Sequence, residues 1–432
     1  MCSSDLMATK LFSVRGSTAN NFVAIASPGS NGLAIFIDPA EPQGSPHRYR
    51  GVSANLAMTS PDGLNWTTIG TYDPPASIPG GPSGVNNGSG AFDTQGVMFF
   101  DPKCECYSFY TRWDRFDQNH GGPKGAEGGR AVRRARSTRL QVTNSTVRGS
   151  TVRHIGSWVN QSVVMGADAL DTSTHTYGVM DGGPVDYYGA TPWYVDHGEG
   201  FGWYFMAAVR FWHWGPPGPD QPVTGTKDLV LAASRDGENF SFVEHAPWLS
   251  PGLDGSVGSR QLWLAPPGPL RVGDEELYFV TKANVDEYSG LSIDPKSPHG
   301  EWEAEIAVGK LRLNGLVSLD AGYTSSANAA MLTTKPFIFA GRRLLLNLDA
   351  SGGGSLFIQL HLAAEFPATP RSALLTSNYL VHNGVDLEVE FWNGGDAPGA
   401  VNSTAIASLA GTPVVMVMRM QDCRLYGLRF AP

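Results

Sequence analysis

The stretch TSPDGLNW, residues 59–66, returns in altered form as ASRDGENF, residues 233–240. Both stretches contain, in order, a small residue, Ser, any residue, Asp-Gly, two further residues and an aromatic residue. Ser and Asp side chains can bond the backbone of their own turn, and Gly supplies a positive φ. We therefore predict that this phrase is a structural turn between the third and fourth strands of a repeated four-stranded unit.

Four longer stretches share a second pattern, in which apolar or aromatic runs flank a turn rich in Gly, Pro or Asp. They are GLAIFIDPAEPQGSPHRYRGV (32–52), GVMFFDPKCECYSFYTRW (96–113), ATPWYVDHGEGFGWYFMAAVRFW (190–212) and SRQLWLAPPGPLRVGDEELYFVTKA (259–283). Each predicts a β-hairpin. Asp38, Asp101 and Asp196 end the first strand of three of them, and we interpret them as turn residues. Repeated four-stranded units predict a β-propeller.

The composition agrees with an all-β chain. Its 432 residues include 52 Gly and 30 Pro, and only 16% are charged, against about 25% in typical domains. No sustained helical periodicity is present, whereas alternating and short apolar runs are common. From KLRLNGLVSLDAG (310–322) onward the Ser-x-Asp-Gly phrase disappears, and short strands predict a jelly-roll-like β-sandwich over residues 311–432. We interpret the glycine run at 352–354 as a hairpin tip.

Several classes of function are disfavoured. The net charge is −9, and we interpret the one basic run, GRAVRRARSTRL (129–140), as a strand with solvated arginines and not as a nucleic-acid site. The sequence contains no run of about 18 apolar residues, so it predicts no membrane span. The histidines lack metal-binding spacing, so we predict neither a metal nor a cofactor. Cys104 and Cys106 are too close for a C-x-x-C motif, and we interpret them as two partly exposed thiols in a turn.

The first six residues, MCSSDL, match the translation of a common sequencing-adapter tail, and we exclude them from the fold. We expect the natural N-terminus, any signal peptide and a first structural unit to lie upstream. The predicted domains are therefore a β-propeller over residues 7–310 and the β-sandwich over residues 311–432.

The C-terminal part carries the most specific resemblance to a known family. It lies in LRLNGLVSLDAG (311–322), LTTKPFIFAGRRLLLNLDASGGGSLFIQL (332–360) and SLAGTPVVMVMRMQDCRLYGLRF (408–430). With AIFIDP and VDYYGATPW from the hairpin region, these residues resemble secreted bacterial glycoside hydrolase family 32/43-like proteins. The resemblance implies a five-bladed β-propeller, here with its first blade truncated, followed by a β-sandwich. It also implies a secreted monomer with a carbohydrate substrate.

Three acids precede innermost strands and would converge at one mouth of a propeller. They are Asp93, Asp186 and Asp254. Glycoside hydrolysis needs a carboxylic acid and a carboxylate base or nucleophile, and crowded carboxylates raise one another's pKa. We predict these three as the catalytic acids. The resemblance implies a further Asp base or nucleophile on the first blade and a Glu acid, for which no residue here is assigned.

Four residues at the ends of second strands are candidate substrate contacts. They are Arg112, Trp113, Trp212 and His213. Rings and hydrogen-bond donors suit a sugar, although the same side chains could fill gaps between blades. The preferred function is glycoside hydrolysis. The alternatives are a non-catalytic glycan-binding propeller and a structural or adhesion propeller.

Overall fold

A computed structural model of the protein describes residues 33–53, 56–72, 96–114, 130–147, 150–171, 185–197, 201–213, 225–285, 303–323, 328–350, 352–366, 373–394, 401–402 and 404–432. Regular structure in these residues is almost entirely β, which confirms the predicted all-β class. The chain divides into two compact units. The N-terminal unit is Met1–Pro269 with Tyr278–Gly309, and the C-terminal unit is Leu270–Leu277 with Lys310–Pro432.

The hairpin region forms eighteen of the strands. They are β1 (Ala34–Ile37), β2 (Tyr49–Ser53), β3 (Leu56–Ser60), β4 (Thr67–Thr71), β5 (Val97–Asp101), β6 (Cys106–Asp114), β7 (Arg130–Ser137), β8 (Val142–Val147), β9 (Ser150–Ile155), β10 (Val159–Met165), β11 (Val185–Asp196), β12 (Gly202–His213), β13 (Gly225–Ser234), β14 (Ser241–Phe242), β15 (Gln261–Leu264), β16 (Leu270–Val272), β17 (Glu275–Ala283) and β18 (Ala304–Arg312).

These strands form four sheets. Sheet 1 has the order β1-β2-β3-β4-β9-β8, sheet 2 β10-β7-β6-β5, sheet 3 β11-β12-β13-β14, and sheet 4 β15-β17-β16 with β18 against β17. The four predicted hairpins are confirmed, although the last contains the additional strand β16. The β8–β9 hairpin was not predicted. It leaves sheet 2 after β7 and extends sheet 1, where β9 pairs in parallel with β4.

The repeated phrase forms the predicted turn between the third and fourth strands of sheets 1 and 3. In sheet 1, Ser60 Oγ accepts the Gly63 N–H at 2.9 Å and Asp62 Oδ1 accepts the Asn65 N–H at 2.8 Å. The corresponding bonds of the turn at residues 234–239 have the same lengths. The backbone N–H of Asn65, its side chain and the Leu64 N–H all bond Asp62, and they lower the pKa of this carboxyl.

A buried carboxylate at the end of the first strand joins sheet 1 to sheet 2. Asp38 is fully buried. It accepts hydrogen bonds from Arg50 Nε of its own sheet at 3.1 Å and from the Tyr107 hydroxyl of sheet 2 at 2.7 Å. The predicted turn role is also confirmed, because Asp38 Oδ1 accepts the Ala40 N–H at 3.1 Å.

Asp101 makes the same kind of contacts between sheet 2 and sheet 3. We call each such arrangement, a buried Asp bonded to an Arg of its own sheet and a Tyr of the next, an inter-sheet clasp. Asp101 accepts from Arg134 Nη2 at 2.6 Å and from the Tyr204 hydroxyl of sheet 3 at 2.7 Å. Burial, with this bond to Asp101, raises the pKa of Tyr204, so that its hydroxyl remains a donor. Asp101 also accepts the Lys103 N–H of the following turn. Asp196 differs, since it is exposed at the end of β11.

Apolar side chains fill the space between consecutive sheets. One cluster joins sheets 1 and 2 and includes Phe36, Val52, Met98, Phe109 and Trp158. A second joins sheets 2 and 3 and includes Tyr110, Val164, Tyr187, Met206 and Val230. Sheets therefore stack face to face, and both faces of a sheet can be buried.

That burial corrects the interpretation of the basic run. Arg133 and Arg134 on β7 are only 2% and 1% exposed, not solvated. β7 is an interior strand of sheet 2, and Arg134 reaches the buried Asp101 carboxylate. The interpretation of Cys104 and Cys106 as thiols was also wrong. They form a disulfide bond within the β5–β6 turn.

The C-terminal unit contains two further sheets. Its remaining elements are β19 (Leu319–Ala321), β20 (Ala330–Thr333), β21 (Arg343–Asp349), β22 (Ser355–Leu362), β23 (Leu375–Ser377), β24 (Asn383–Glu388), β25 (Phe391–Asn393), α1 (Ala405–Leu409), β26 (Val414–Gln421) and β27 (Cys423–Ala431). Sheet 5 has the order β19-β27-β21-β24 and sheet 6 the order β20-β26-β22-β23-β25. One apolar cluster draws on both, including Leu346, Leu348, Ile358, Leu360, Met416 and Met418.

Two details of this unit were not predicted. The helix α1 interrupts a region interpreted as free of helices. The glycine run is not a hairpin tip, because β21 and β22 on either side of it belong to different sheets. Gly352 and Gly353 have φ of 86° and 112°, which favours glycine where the chain crosses between the sheets. Within the described residues, no helix has the length and apolar character needed to cross a membrane.

The clasp predicts a large effect for a single substitution. Asp101→Ala leaves the buried Arg134 guanidinium without its carboxylate, and we expect a loss of about 3–5 kcal/mol in unfolding free energy. Tyr204→Phe removes one hydrogen bond to a charged group and should cost about 1.5–3 kcal/mol. Urea unfolding measures both. Glu305→Ala breaks the more exposed pair with Lys282 and is the control, expected to cost under about 1 kcal/mol. Equal losses in Asp101→Ala and Glu305→Ala would contradict the structural role of the clasp.

The two turns provide a matched glycine pair. Gly63 and Gly237 have φ of 76° and 70°, so alanine at either position should cost about 1–2 kcal/mol. A Cβ at Gly237 would also lie 3.0 Å from Arg134 and from the Tyr110 hydroxyl, whereas one at Gly63 would meet Tyr49 at 3.5 Å. We expect Gly237→Ala to lower the thermal unfolding temperature more than Gly63→Ala. The reverse order would show that sheet 2 does not confine the second turn.

Candidate functional site

Several of the predicted site residues lie at the ends of strands in sheets 2 and 3. In sheet 3, β11 begins at Val185 and β12 ends at His213, with Asp186 paired to Phe211. β6 of sheet 2 ends and β7 begins at the corresponding edge, with Arg112 paired to Val132. Antiparallel pairing therefore gathers the ends of several strands at this edge.

The ring of Tyr188 lies among these strand ends and contacts side chains from sheets 2, 3 and 4. The register of β11 against β12 shifts between Tyr187 and Gly189, so Tyr188 lies in a β-bulge, a feature that redirects a side chain. The ring meets Trp263 of sheet 4 at 5.8 Å, edge to face. A Cβ at Gly189 would lie 3.1 Å from the Trp263 ring, so glycine allows this approach.

Three cations surround the same ring. Arg112 Cζ and Arg130 Cζ of sheet 2 lie 4.9 and 4.7 Å from the Tyr188 centroid, and Lys227 Nζ of sheet 3 lies at 4.0 Å. Each such contact contributes about 0.5–2 kcal/mol, more when desolvated. We call Arg112, Arg130, Tyr188, Lys227 and Trp263 the Tyr188 cluster. It joins side chains from three sheets.

Asp186 lies beside this cluster. It is 2% exposed, and its Oδ2 accepts a hydrogen bond from Arg130 Nη1 at 2.7 Å. Arg130 therefore contacts both the Asp186 carboxylate and the Tyr188 ring. Such a bond between charged groups is among the stronger hydrogen bonds in proteins.

Asp254 is connected to the cluster through Arg260. It lies in the loop before β15, and its side chain is 46% exposed and 3.5 Å from Arg260 Nη1. The Arg260 carbonyl accepts the Lys227 N–H at 2.8 Å, and Lys227 Nζ donates to Gln261 Oε1 at 3.2 Å. The two described acids thus differ in their access to solvent.

The other predicted residues are placed as follows. Arg112 belongs to the Tyr188 cluster, and Trp113 follows it, half-buried, on β6. Trp212 lies in a neighbouring group, where its Nε1 donates to Asp228 Oδ2 at 3.0 Å. Asp93 lies outside the described residues, and His213 is described only as the last residue of β12.

This neighbouring group centres on Arg210. Its Nε and Nη2 donate to the two oxygens of Asp228 at 3.0 and 2.8 Å, and its Nη1 lies 3.6 Å from Asp171 Oδ1. The Tyr187 hydroxyl donates to Asp171 Oδ2 at 3.0 Å. Burial raises the pKa of the Asp171 carboxyl. The sequence interpretation selected Trp212 but missed the ion pair beside it, although a charged residue inside an apolar strand, as in TKDLVL (226–231) or VRFW (209–212), signals a buried ion pair.

Among the residues that the structure describes, one set of side chains has ligand atoms close enough to hold a metal ion. These atoms of Asp168, Asp171 and His245 lie within 4.8 Å of one another, and mixed N and O donors suit several divalent ions. His245 Nε2 already lies 3.0 Å from Asp168 Oδ2. The Arg210 guanidinium beside Asp171 would repel a cation, so the contacts favour a hydrogen-bonded network.

Comparison with known proteins gives distant structural similarity. No family model matches the sequence. No curated protein matches it either. Among solved structures, the chain is similar to the GH32 β-fructofuranosidase BmSUC1 of Bombyx mori, at 10% identity and a TM-score of 0.28, over 92% of this chain and 75% of that one.

It is also similar to the GH43 protein BlXynB of Bacillus licheniformis, at 9% identity and a TM-score of 0.25, over 94% of this chain and 100% of that one. A third is an N-acetylgalactosamine deacetylase from F. plautii, at 13% identity and a TM-score of 0.29, over 66% and 90%. Two of these three structures are named as members of glycoside hydrolase families 32 and 43.

Proposed function

We propose that the protein is a secreted glycoside hydrolase that cleaves a poly- or oligosaccharide at the edge formed by the Tyr188 cluster. The observation that carries the proposal is the convergence there of buried charges from sheets 2 and 3 around a ring that also contacts Trp263 of sheet 4. Burying a charge is costly even when it is paired, and apolar side chains would fill the same space at lower cost. Buried ionisable groups gathered at strand ends are typical of functional sites.

The proposed architecture is a five-bladed β-propeller within residues 7–310 and a β-sandwich over residues 311–432. Sheets 1 to 3 would be blades, since each contains four antiparallel strands in series, and the clasps and apolar clusters join sheet 1 to 2 and sheet 2 to 3. Sheet 4, in which β15, β16 and β18 all pair with β17, would be a fourth. The core common to sheets 5 and 6 supports the sandwich. The Cys104–Cys106 disulfide favours an oxidising compartment and so supports secretion.

The proposed roles follow from exposure. Asp254 is open to solvent, so it would exchange a proton with the glycosidic oxygen or with water. Asp186 is held by Arg130 and would orient that guanidinium and stabilise positive charge that develops on the sugar. Asp93 remains the candidate for the second reacting carboxylate. Arg112 would contact sugar hydroxyls, and Trp113, Trp212 and His213 would extend the same surface.

A second candidate is glycan binding without cleavage. Hydrolysis requires two carboxyl groups that reach the scissile bond. Of the two predicted acids within the described residues, Asp186 is buried against Arg130 and only Asp254 is exposed. This contrast favours the binding alternative.

Reducing-end release from a panel of soluble polysaccharides tests the proposal. We expect Asp254→Asn to lower release by at least about 100-fold, because a proton-transfer group contributes about 10²–10⁴-fold, and Asp186→Asn to lower it as well. Asp386→Asn is the control, since Asp386 is an exposed carboxylate paired with Arg429 in the C-terminal unit.

Retention on a polysaccharide without release would favour the binding candidate. Release that survives both Asp186→Asn and Asp254→Asn would place catalysis elsewhere in the chain.

A further inference from the structure

The C-terminal unit contains a cavity of about 830 Å³. It lies around the end of β23, the end of β24 and the start of β25. Its lining includes Arg343, Asn378, Tyr379, His382, Glu388 and Glu390. Ligand sites in proteins commonly measure about 300–1,000 Å³, so the cavity is large enough for a short oligosaccharide.

A fixed aromatic ring forms one wall of this cavity. Tyr379 is 62% exposed, and its ring stacks on that of Phe357 at 5.0 Å with an interplanar angle of 29°. The next residue, Leu380, exchanges both backbone hydrogen bonds with Leu356, at 2.8 and 2.9 Å. The ring is thus held in place while most of its surface remains open to a ligand, which reduces the entropic cost of binding.

Planar polar side chains line the same cavity. Asn378 Nδ2 donates to Glu390 Oε2 at 3.3 Å, and Arg343 Nη1 lies 3.6 Å from Glu388 Oε2. Glu388 and Glu390 are exposed while Val389 between them is buried in the core. Both carboxylates are therefore presented from a rigid backbone.

The charges in the cavity balance. Arg342 and Arg343 oppose Glu388 and Glu390, so neither an anionic nor a strongly cationic ligand is favoured. A neutral sugar matches these groups, because its apolar ring face can lie against Tyr379 while its hydroxyls exchange hydrogen bonds with amide, carboxylate and guanidinium groups.

We infer that this cavity is a second, non-catalytic site that binds a neutral glycan, with Tyr379 as its stacking platform. The site is built entirely from the C-terminal unit and does not require cleavage by the N-terminal unit. It would hold the protein on a polysaccharide independently of the catalytic acids, and binding by two linked sites strengthens retention.

Affinity electrophoresis of the full chain tests the inference, with arabinan, inulin, galactomannan and xyloglucan as separate probes in the gel. We expect at least one of them to retard the protein. Tyr379→Ala should weaken that retardation by roughly tenfold or more, since aromatic contacts dominate such sites, and Tyr379→Trp should preserve it. Tyr323→Ala is the matched control, because Tyr323 is 88% exposed in the same unit and does not line the cavity.

Glu390→Ala is a second variant at an exposed position, where the fold tolerates substitution, and should weaken retardation several-fold. No retardation by any probe, or retardation unchanged in both Tyr379→Ala and Glu390→Ala, would overturn the inference. An equal loss in Tyr323→Ala would also overturn it.

Hydrolysis measured in parallel separates this site from the proposed catalytic function. With a short soluble oligosaccharide as substrate, Tyr379→Ala should release reducing ends at the rate of the unmodified protein. If no variant hydrolyses any probe but Tyr379→Ala still abolishes retardation, the catalytic proposal fails and the second site stands.

Discussion

The structure of the N-terminal unit depends on carboxylates buried between sheets. Asp101 has no access to water, so its charge must be met by protein groups. Arg134 supplies one partner from the same sheet, and Tyr204 supplies another from the next sheet. The Tyr204 bond forms only when sheets 2 and 3 stack in one register. The clasp therefore also aligns the opposite ends of the strands, where Arg130 of sheet 2 contacts Asp186 of sheet 3.

The sequence predicted the local parts of this arrangement and missed the distant ones. Turn chemistry identified Asp38 and Asp101 as turn residues, because the signal lies within a few neighbouring positions. Their tyrosine partners are on other sheets, and no local pattern indicates them. The arginines of β7 were predicted to be solvated because alternating charge resembles a strand with one wet face. Stacking of sheets covers both faces, and the buried carboxylate compensates Arg134.

In the candidate site, too, local features were predicted from the sequence and contacts between sheets were not. The repeat was sufficient to select Asp186 and Asp254, since both precede or begin the first strand of a sheet. It did not indicate Tyr188 or Lys227, whose proximity depends on a β-bulge and on contact between sheets. Trp212 was selected as a substrate contact, and the structure gives it a bond to Asp228 in the Arg210 group. Position along a strand is thus predictable, whereas partners across sheets are not.

The β8–β9 hairpin has a consequence for how the unit assembles. The chain completes three strands of sheet 2, contributes two strands to the edge of sheet 1, and then returns to add β10. The strands of the two sheets are thus interleaved along the chain, and each sheet has strands on both sides of a strand of the other. The two sheets should therefore open and close as one cooperative unit in amide hydrogen exchange, with similar protection on β4 and β7.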